Sequence, residues 1–206
     1  MAATSNARPD RVPGRRLTTT TFNGTVVTVR QWEPGDLDSY HAAMHESFEH
    51  LTPWMPWAAA EPQEFEAHEA LINRWSGAWD FDDFVYGMFI GPDDLVVGGC
   101  GLHNRVGPTG WEIGYWVHPD HEGRGIVSAS VRALTDEAFI DPTIEGVEIR
   151  CDEANVRSAN VPKRLGYAFV GEEKRAPVAP AETETTHVYR IDRATWVGDG
   201  QTLASE

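Results

Sequence analysis

The sequence predicts an α+β domain built on a mixed sheet of about seven strands with helices on both faces. The order of apolar patterns along the 206 residues supports this class, since it runs β-α-α-β-β-β-α-β-α-β-β. A second observation is the run from Gly110 to Ser130, in which a strand, a glycine-containing loop and a helix follow one another. A third is the hydrophobic content of 41%, which is enough for one core.

The first half of the chain contains three strand patterns and two helix patterns. Apolar runs bounded by turn residues predict the strands, at Thr25–Trp32, Asp83–Ile90 and Leu95–His103. Helices are predicted from Pro34 and from Pro62. Each has one apolar face, formed by Leu37, Tyr40, Met44, Phe48 and Leu51 in the first and by Phe65, His68, Ile72, Trp75 and Trp79 in the second. Prolines exclude regular helix from Leu51–Trp57, between them.

The second half contains the central strand, two helix patterns and three further strands. The central strand alternates Trp111, Ile113, Tyr115 and Val117 with Glu112, Gly114 and Trp116. The helix that follows the glycine loop has apolar residues at Val127, Val131, Leu134 and Ala138. The remaining elements are a strand at Val147–Cys151, a helix at Asn155–Leu165, and an antiparallel pair at Tyr167–Gly171 and His187–Ile191. Lys174–Thr186, rich in Pro, Ala and Glu, is expected to be mobile.

The glycine loop between the central strand and its helix is a candidate anion site. It contains Gly123-Arg124-Gly125 and opens a helix, so free backbone N–H groups would suit a phosphate or pyrophosphate. No Gly-Lys-Ser/Thr follows, which excludes a P-loop, and the third glycine of the dinucleotide fingerprint is missing. A Gly-x-Gly triplet alone is more often a turn. It indicates an anion site here because a strand precedes it and a helix follows it.

Two motifs in order resemble the GNAT (Gcn5-related) N-acetyltransferases. The first runs from Val117-His118-Pro119 to Gly123-Arg124-Gly125-Ile126, and the second from Asn155-Val-Arg-Ser158 to Leu165-Gly166-Tyr167. The resemblance covers roughly Phe22–Trp196 and is strongest to the Rim-type branch, which acetylates N-terminal α-amines of ribosomal proteins. It implies the GNAT fold, a mostly antiparallel sheet whose fourth and fifth strands splay apart to admit acyl-CoA. We expect this domain at residues 18–197, with a disordered tail at 1–17 and a second tail at 198–206.

The resemblance also implies the residues that bind the acyl donor. The pyrophosphate would lie on the backbone N–H groups of the loop, formed by Glu122, Gly123, Arg124, Gly125, Ile126 and Val127. The pantetheine arm would pair with Trp116, Val117 and His118, one of whose N–H groups could polarise the thioester. Asn155 is similar to a pantetheine-contacting asparagine, although an N-cap would explain it equally. Glu122 and Val127 depart from the family pattern, and Glu122 puts a negative charge near a diphosphate.

Acyl transfer to an amine needs a base, and the leaving thiolate benefits from an acid. Glu112 on the central strand is the expected base, with Glu148 on the next strand as the second choice and a substrate contact. An arginine-paired structural glutamate is the alternative for Glu112. Many relatives carry a tyrosine acid where this chain has Pro162, so Ser158 is the expected acid, unless it only bonds its own helix. Trp54 and Trp57 form either a packed loop or a substrate wall.

The net charge of the protein and the pKa values of amines indicate which substrates to expect. A net charge of −15 argues against nucleic acid and suits a cationic acceptor. An α-amine of pKa near ~8 is about a tenth neutral at pH 7, far more than lysine, which favours peptide N-termini. We therefore expect an enzyme using acetyl-CoA, with succinyl-CoA as another donor, lysine, small amines or antibiotics as other acceptors, and a non-catalytic acyl-CoA sensor as the other class.

The remaining expectations concern cellular context. No run long enough to span a membrane and no secretory signal is evident, so a cytoplasmic protein is expected. Cys100 and Cys151 lie in apolar strand patterns and are expected to be buried and reduced. His41 and His45 are one helical turn apart, but without a third ligand we expect no metal. The family resemblance favours a homodimer.

Overall fold

The computed structural model describes residues 16–77 and 83–196, which form an eight-stranded mixed sheet with four α-helices. The strands are β1 Leu17–Thr20, β2 Val26–Gln31, β3 Asp83–Ile90, β4 Leu95–His103, β5 Gly110–Val117, β6 Gly146–Asp152, β7 Ala168–Lys174 and β8 Thr185–Asp192. The helices are α1 Leu37–Leu51, α2 Phe65–Ser76, α3 Ile126–Ala138 and α4 Val156–Arg164. Within these residues no helix combines the length and apolarity needed to cross a bilayer.

The sheet has the order β1-β2-β3-β4-β5-β6-β8-β7 and is antiparallel except between β5 and β6. Parallel strands need a long crossover, and α3 supplies it. The parallel pair is short, because its register covers Gly110↔Gly146 to Glu112↔Glu148 and stops there. Beyond these residues the two strands separate toward their carboxyl ends. The expected splay of the fourth and fifth strands is thus confirmed at β5 and β6.

Two apolar cores lie on opposite faces of the sheet, as strand alternation requires. One core joins α3 and α4 to side chains such as Val27, Ile113 and Ile149. The other joins α1 and α2 to the opposite face, around Trp32 and Phe89. Along β5, Ile113, Tyr115 and Val117 therefore face the α3 side, and Glu112, Gly114 and Trp116 face the α1–α2 side.

The structure adds one strand that the sequence did not predict. β1 is a Thr-rich segment with no apolar alternation, and it forms by pairing Leu17 with Val29 and Thr20 with Val26 of β2. It begins one residue inside the predicted tail, while residues 1–15 and the predicted tail at 198–206 lie outside the described residues. So does Trp79, the last residue of the predicted α2 face.

The segment predicted to be mobile is instead held in place. β7 extends to Lys174 and β8 begins at Thr185, so the connection is shorter than expected. Within it the Glu182 carboxylate accepts hydrogen bonds from Arg175 Nη2 (2.8 Å) and from the backbone N–H of Val178 (2.8 Å). The composition indicated mobility, but one carboxylate with several donors orders the turn.

Candidate acyl-donor and acceptor sites

The gap between β5 and β6 exposes one edge of β5. The N–H of His118 donates to Val97 O on β4 (2.9 Å), so alternate residues of β5 direct their polar groups toward β4. The N–H and C=O of Val117 then point the other way, into the gap. Of the three residues predicted to pair with a pantetheine arm, Val117 has the right direction. The His118 N–H is already committed to β4, which corrects that part of the prediction.

The loop after β5 has the backbone of an anion site. Gly123 and Gly125 have φ values of +70° and +79°, in the left-handed region that favours glycine. Gly125 is the N-cap residue of α3 and supplies no side-chain cap, and the first turn of that helix contains no acidic residue. The first N–H groups of α3 therefore lack both an intrahelical acceptor and a capping oxygen, and they are directed where an anion would bind.

The departure from the family pattern at Glu122 has a structural explanation. Its carboxylate contacts Arg157 Nη1 on α4 at 2.5 Å and His50 Nε2 on α1 at 3.2 Å. The negative charge of Glu122 is thus paired with the Arg157 guanidinium, so it does not stand unpaired beside the glycine loop. Arg124 is exposed at the loop.

The predicted acid, Ser158, lies beside a residue that the sequence analysis did not select. The Tyr115 hydroxyl donates to the Ser158 carbonyl oxygen (2.9 Å) and lies 3.2 Å from its Oγ. Burial raises the pKa of Tyr115, which keeps the phenol protonated. Asn155 Oδ1 accepts from the Ser158 N–H (3.1 Å), so Asn155 is an N-cap, as its alternative interpretation proposed. The Tyr115 hydroxyl on β5 therefore lies within hydrogen-bond distance of the predicted acid.

The two cysteines are buried and unpaired, as expected. Burial raises the pKa of Cys151 to about 11, so its thiol stays protonated at neutral pH. Neither residue has the low pKa of a nucleophilic cysteine.

A cavity of about 780 Å³ lies on the α1–α2 side of β5. Trp54, Trp57 and Trp116 line it, and the rings of Trp57 and Trp116 meet edge to face with 6.4 Å between centroids. Trp57 remains 44% exposed, which a loop serving only as packing would not require. These positions favour the interpretation of Leu51–Trp57 as a substrate wall.

Glu112 lies on the surface of this cavity, whereas Glu148 lies beneath it. Glu112 Oε1 accepts from Arg105 Nη1 (3.1 Å), and its Oε2 is 3.6 Å from Arg150 Nε. Glu148 is buried between Arg150 Nη2 (2.8 Å) and Arg190 Nη1 (3.2 Å) and is not among the described residues that line the cavity. Glu112 is therefore the better placed of the two candidate bases, although its contacts with Arg105 and Arg150 are also those of the alternative, an arginine-paired structural glutamate. Glu148, predicted as a substrate contact, does not line the described part of the cavity.

Arg150 connects the carboxylates of three strands. Besides Glu112 and Glu148 it contacts Glu173 Oε2 on β7 at 2.9 Å. It lies just beyond the last paired residues of β5 and β6, where the strands begin to separate. The sequence contained Glu148-Ile149-Arg150 but gave no indication that this arginine contacts three carboxylates.

His41 and His45 belong to a cluster that the sequence did not reveal. Their rings lie 4.4 Å apart, and His41 also contacts His68 on α2. Among the described residues no group of three His, Cys, Asp or Glu side chains has the arrangement needed to hold a metal ion.

Comparisons with known proteins agree with this geometry. Residues 27–168 match the family described as acetyltransferase (GNAT) domain. The Bacillus subtilis (strain 168) protein named "Putative ribosomal N-acetyltransferase YdaF" is 26% identical over 176 residues, covering 84% of this chain and 94% of that protein. The ribosomal-protein-serine acetyltransferase of Escherichia coli (strain K12) is 32% identical over 91 residues, covering 43% of this chain and 50% of that protein.

Solved structures show the same fold. The microcin C7 self-immunity acetyltransferase MccE, in complex with acetyl-CoA and AMP, has a TM-score of 0.72 at 16% identity over 81% of this chain and 92% of that one. Mycobacterium smegmatis RimJ, in complex with CoA-disulfide, has a TM-score of 0.69 at 18% identity over 87% of each chain. With the splayed strands and the glycine loop already in place, the family match leads to one conclusion: the chain belongs to the GNAT acetyltransferase family.

Proposed function

We propose that this acetyltransferase transfers the acetyl group of acetyl-CoA to the α-amine at the N-terminus of a protein or peptide, such as a ribosomal protein. The observation that carries the proposal is the position of Glu112. It lies on the cavity side of β5, while the uncapped start of α3 and the free edge at Val117 lie at the gap beside it. The proposed donor and acceptor sites would thus meet at one strand, as direct transfer requires.

The donor site fits a thioester of CoA. The N–H groups at the start of α3, with Arg124 beside them, would hold the diphosphate, and the edge of β5 at Val117 would pair with the amide-bearing arm. CoA thioesters supply an activated acyl group, whose carbonyl oxygen would accept a hydrogen bond from the N–H of Val117. The residues described at the gap do not specify which acyl group the donor carries. Succinyl-CoA is therefore the second donor to compare with acetyl-CoA.

The acceptor site fits an amine that is partly neutral at physiological pH. Glu112 would take a proton from the attacking nitrogen of the α-amine, directly or through one water, and so act as the general base. Tyr115 and Ser158 keep hydroxyl protons at the gap, where the leaving thiolate would form. Ser158 Oγ, which lies 3.2 Å from the Tyr115 hydroxyl oxygen, would turn its proton from that oxygen to the sulfur as the thiolate forms.

Thiol release from acetyl-CoA tests the function. The acceptors are a peptide with N-terminal Ser or Ala, the same peptide with its α-amine blocked, a blocked peptide with an internal lysine, and a small primary amine. Turnover with the free α-amine and none with the blocked control is the expected result. Binding of acetyl-CoA by calorimetry without thiol release from any acceptor would instead identify a sensor.

Three further expectations belong to the proposal. The protein acts in the cytoplasm, for which two free buried thiols are suitable. It needs no metal, so turnover should be unchanged in EDTA. It forms a homodimer, and sedimentation at the monomer mass across concentrations would contradict this.

A further inference from the structure

Three hydrogen-bonded titratable side chains, Glu61, His68 and His41, form a chain beside the acceptor cavity. The mechanism proposed above does not use them. His68 Nε2 lies 2.9 Å from Glu61 Oε2, and His68 Nδ1 lies 2.8 Å from His41 Nδ1. The side chains of His68 and Glu61 are 0% and 1% exposed. Glu61 is in the cavity wall, whereas His41 is partly exposed on α1. The chain therefore runs from the cavity to the protein surface.

The hydrogen bonds fix how protons are arranged in this chain. An ionised Glu61 accepts, so His68 Nε2 must donate to it. A neutral His68 then accepts at Nδ1, which makes His41 Nδ1 the donor. In this form Glu61 carries one negative charge. One more proton on the His41–His68 pair produces an imidazolium and cancels that charge.

No arginine contacts Glu61 among the described residues. Its described partners are His68 and two neutral donors of Gln63, the backbone N–H and Nε2, each at 3.0 Å. In the described part of the cavity, Glu112, Glu173 and Glu182 each pair with an arginine, and Asp152 accepts from the backbone N–H groups of Ala154 (2.9 Å) and Thr183 (2.7 Å). A carboxylate that is buried and not neutralised gives the cavity wall a negative potential that water screens weakly.

We propose that Glu61 selects acceptors that carry a second positive charge beside the reacting amine, as a lysine or arginine next to the peptide N-terminus would supply. The inference rests on the function proposed above. The second charge matters because a carboxylate that held the reacting amine would favour its protonated form, which cannot attack. A proton on the His41–His68 pair neutralises Glu61 and therefore competes with the cationic acceptor.

The surroundings of the pair set the pH at which this competition occurs. Burial lowers the pKa of His41, and the imidazoles of His45 and His68 lower it further, while Glu61 and Glu64 act in the opposite direction. The other facing groups are the rings of Tyr40, 5.1 Å from His68, and Phe65, 5.1 Å from His41. A lowered pKa leaves His41 neutral at pH 8. Charge selection should therefore be complete there and disappear below the usual imidazole pKa of about 6.5.

Two peptides that differ only in charge test the proposal. One has lysine after an N-terminal serine and the other has norleucine, which has no ammonium group. For the wild-type protein at pH 8 we expect a KM about tenfold lower for the lysine peptide, with similar kcat, as uniform binding predicts. Glu61→Gln should bring the ratio close to one. His45→Gln, which changes an exposed imidazole outside the chain, is the matched control and should keep the ratio.

An unchanged ratio in a Glu61→Gln variant of normal melting temperature would overturn the inference while leaving the proposed acetylation intact. A second measurement needs neither a variant nor turnover. NMR titration of the His41 and His68 imidazoles, with and without Nα-acetylated lysine peptide, should show a lower pKa when that peptide is bound. The norleucine peptide should cause no shift, and equal shifts with both peptides would also refute charge selection.

Discussion

Two substitutions at Gly125 distinguish the effect of backbone strain in the glycine loop from the effect of a negative charge there. Gly125 has φ +79°, and a Cβ there would lie 2.8 Å from the Phe22 ring. Phe22 is 86% exposed and can turn away, so the main folding cost of Gly125→Asn is the left-handed backbone, about 1–2 kcal/mol. For a domain of this size that cost should lower the melting temperature by roughly 2–8 °C.

The change from asparagine to aspartate at the same position adds only charge. Two charges 4 Å apart interact by about 1 kcal/mol in water and about 4 kcal/mol near a protein surface. The loop is exposed, so we take about 1–2 kcal/mol, a loss of roughly 5- to 30-fold in acetyl-CoA affinity beyond that of Gly125→Asn.

Calorimetry with acetyl-CoA, alongside melting curves, measures both effects. Gly166→Asn is the control for backbone strain, because Gly166 has φ +80° with open space around it and lies after α4, away from the loop. It should destabilise the fold comparably and leave affinity unchanged. Equal affinity in Gly125→Asp and the wild-type protein would show that the diphosphate binds elsewhere.

Four other substitutions have defined outcomes. Glu112→Gln should lower kcat/KM most at low pH, where the amine is protonated, and leave acetyl-CoA binding nearly unchanged, whereas a purely structural Glu112 would keep the wild-type pH profile and lose thermal stability. Ser158→Ala should reduce turnover by about 10- to 10³-fold, and Tyr115→Phe should reduce it less if the phenol only orients Ser158; a larger loss in Tyr115→Phe would make the phenol the acid. Asp36→Ala leaves Arg30, bound to it by two 2.8 Å hydrogen bonds, without its main buried partner, and should cost about 3–5 kcal/mol of unfolding free energy in denaturant titrations, while a loss below about 1 kcal/mol would show that Asp94 replaces it.

Local pattern was enough to predict the strand, glycine loop and helix of the candidate donor site. The alternation in β5, the glycine loop and the helix that follows are consecutive in sequence, and backbone geometry is set by neighbouring residues. The bounds of α3 and β5 agree with the predicted run for this reason. β1 was missed because its four residues depend on pairing with β2 rather than on apolar periodicity of their own.

The sequence by itself determined the family, the glycine loop before α3 and the strand that carries Glu112. Only the tertiary structure brought Tyr115 to Ser158, 43 residues apart, and joined Arg150 to carboxylates of β5, β6 and β7. It also placed His68, which contacts Glu61, against His41 on a different helix. These contacts depend on sheet register and helix packing, which bring together side chains that no local periodicity relates.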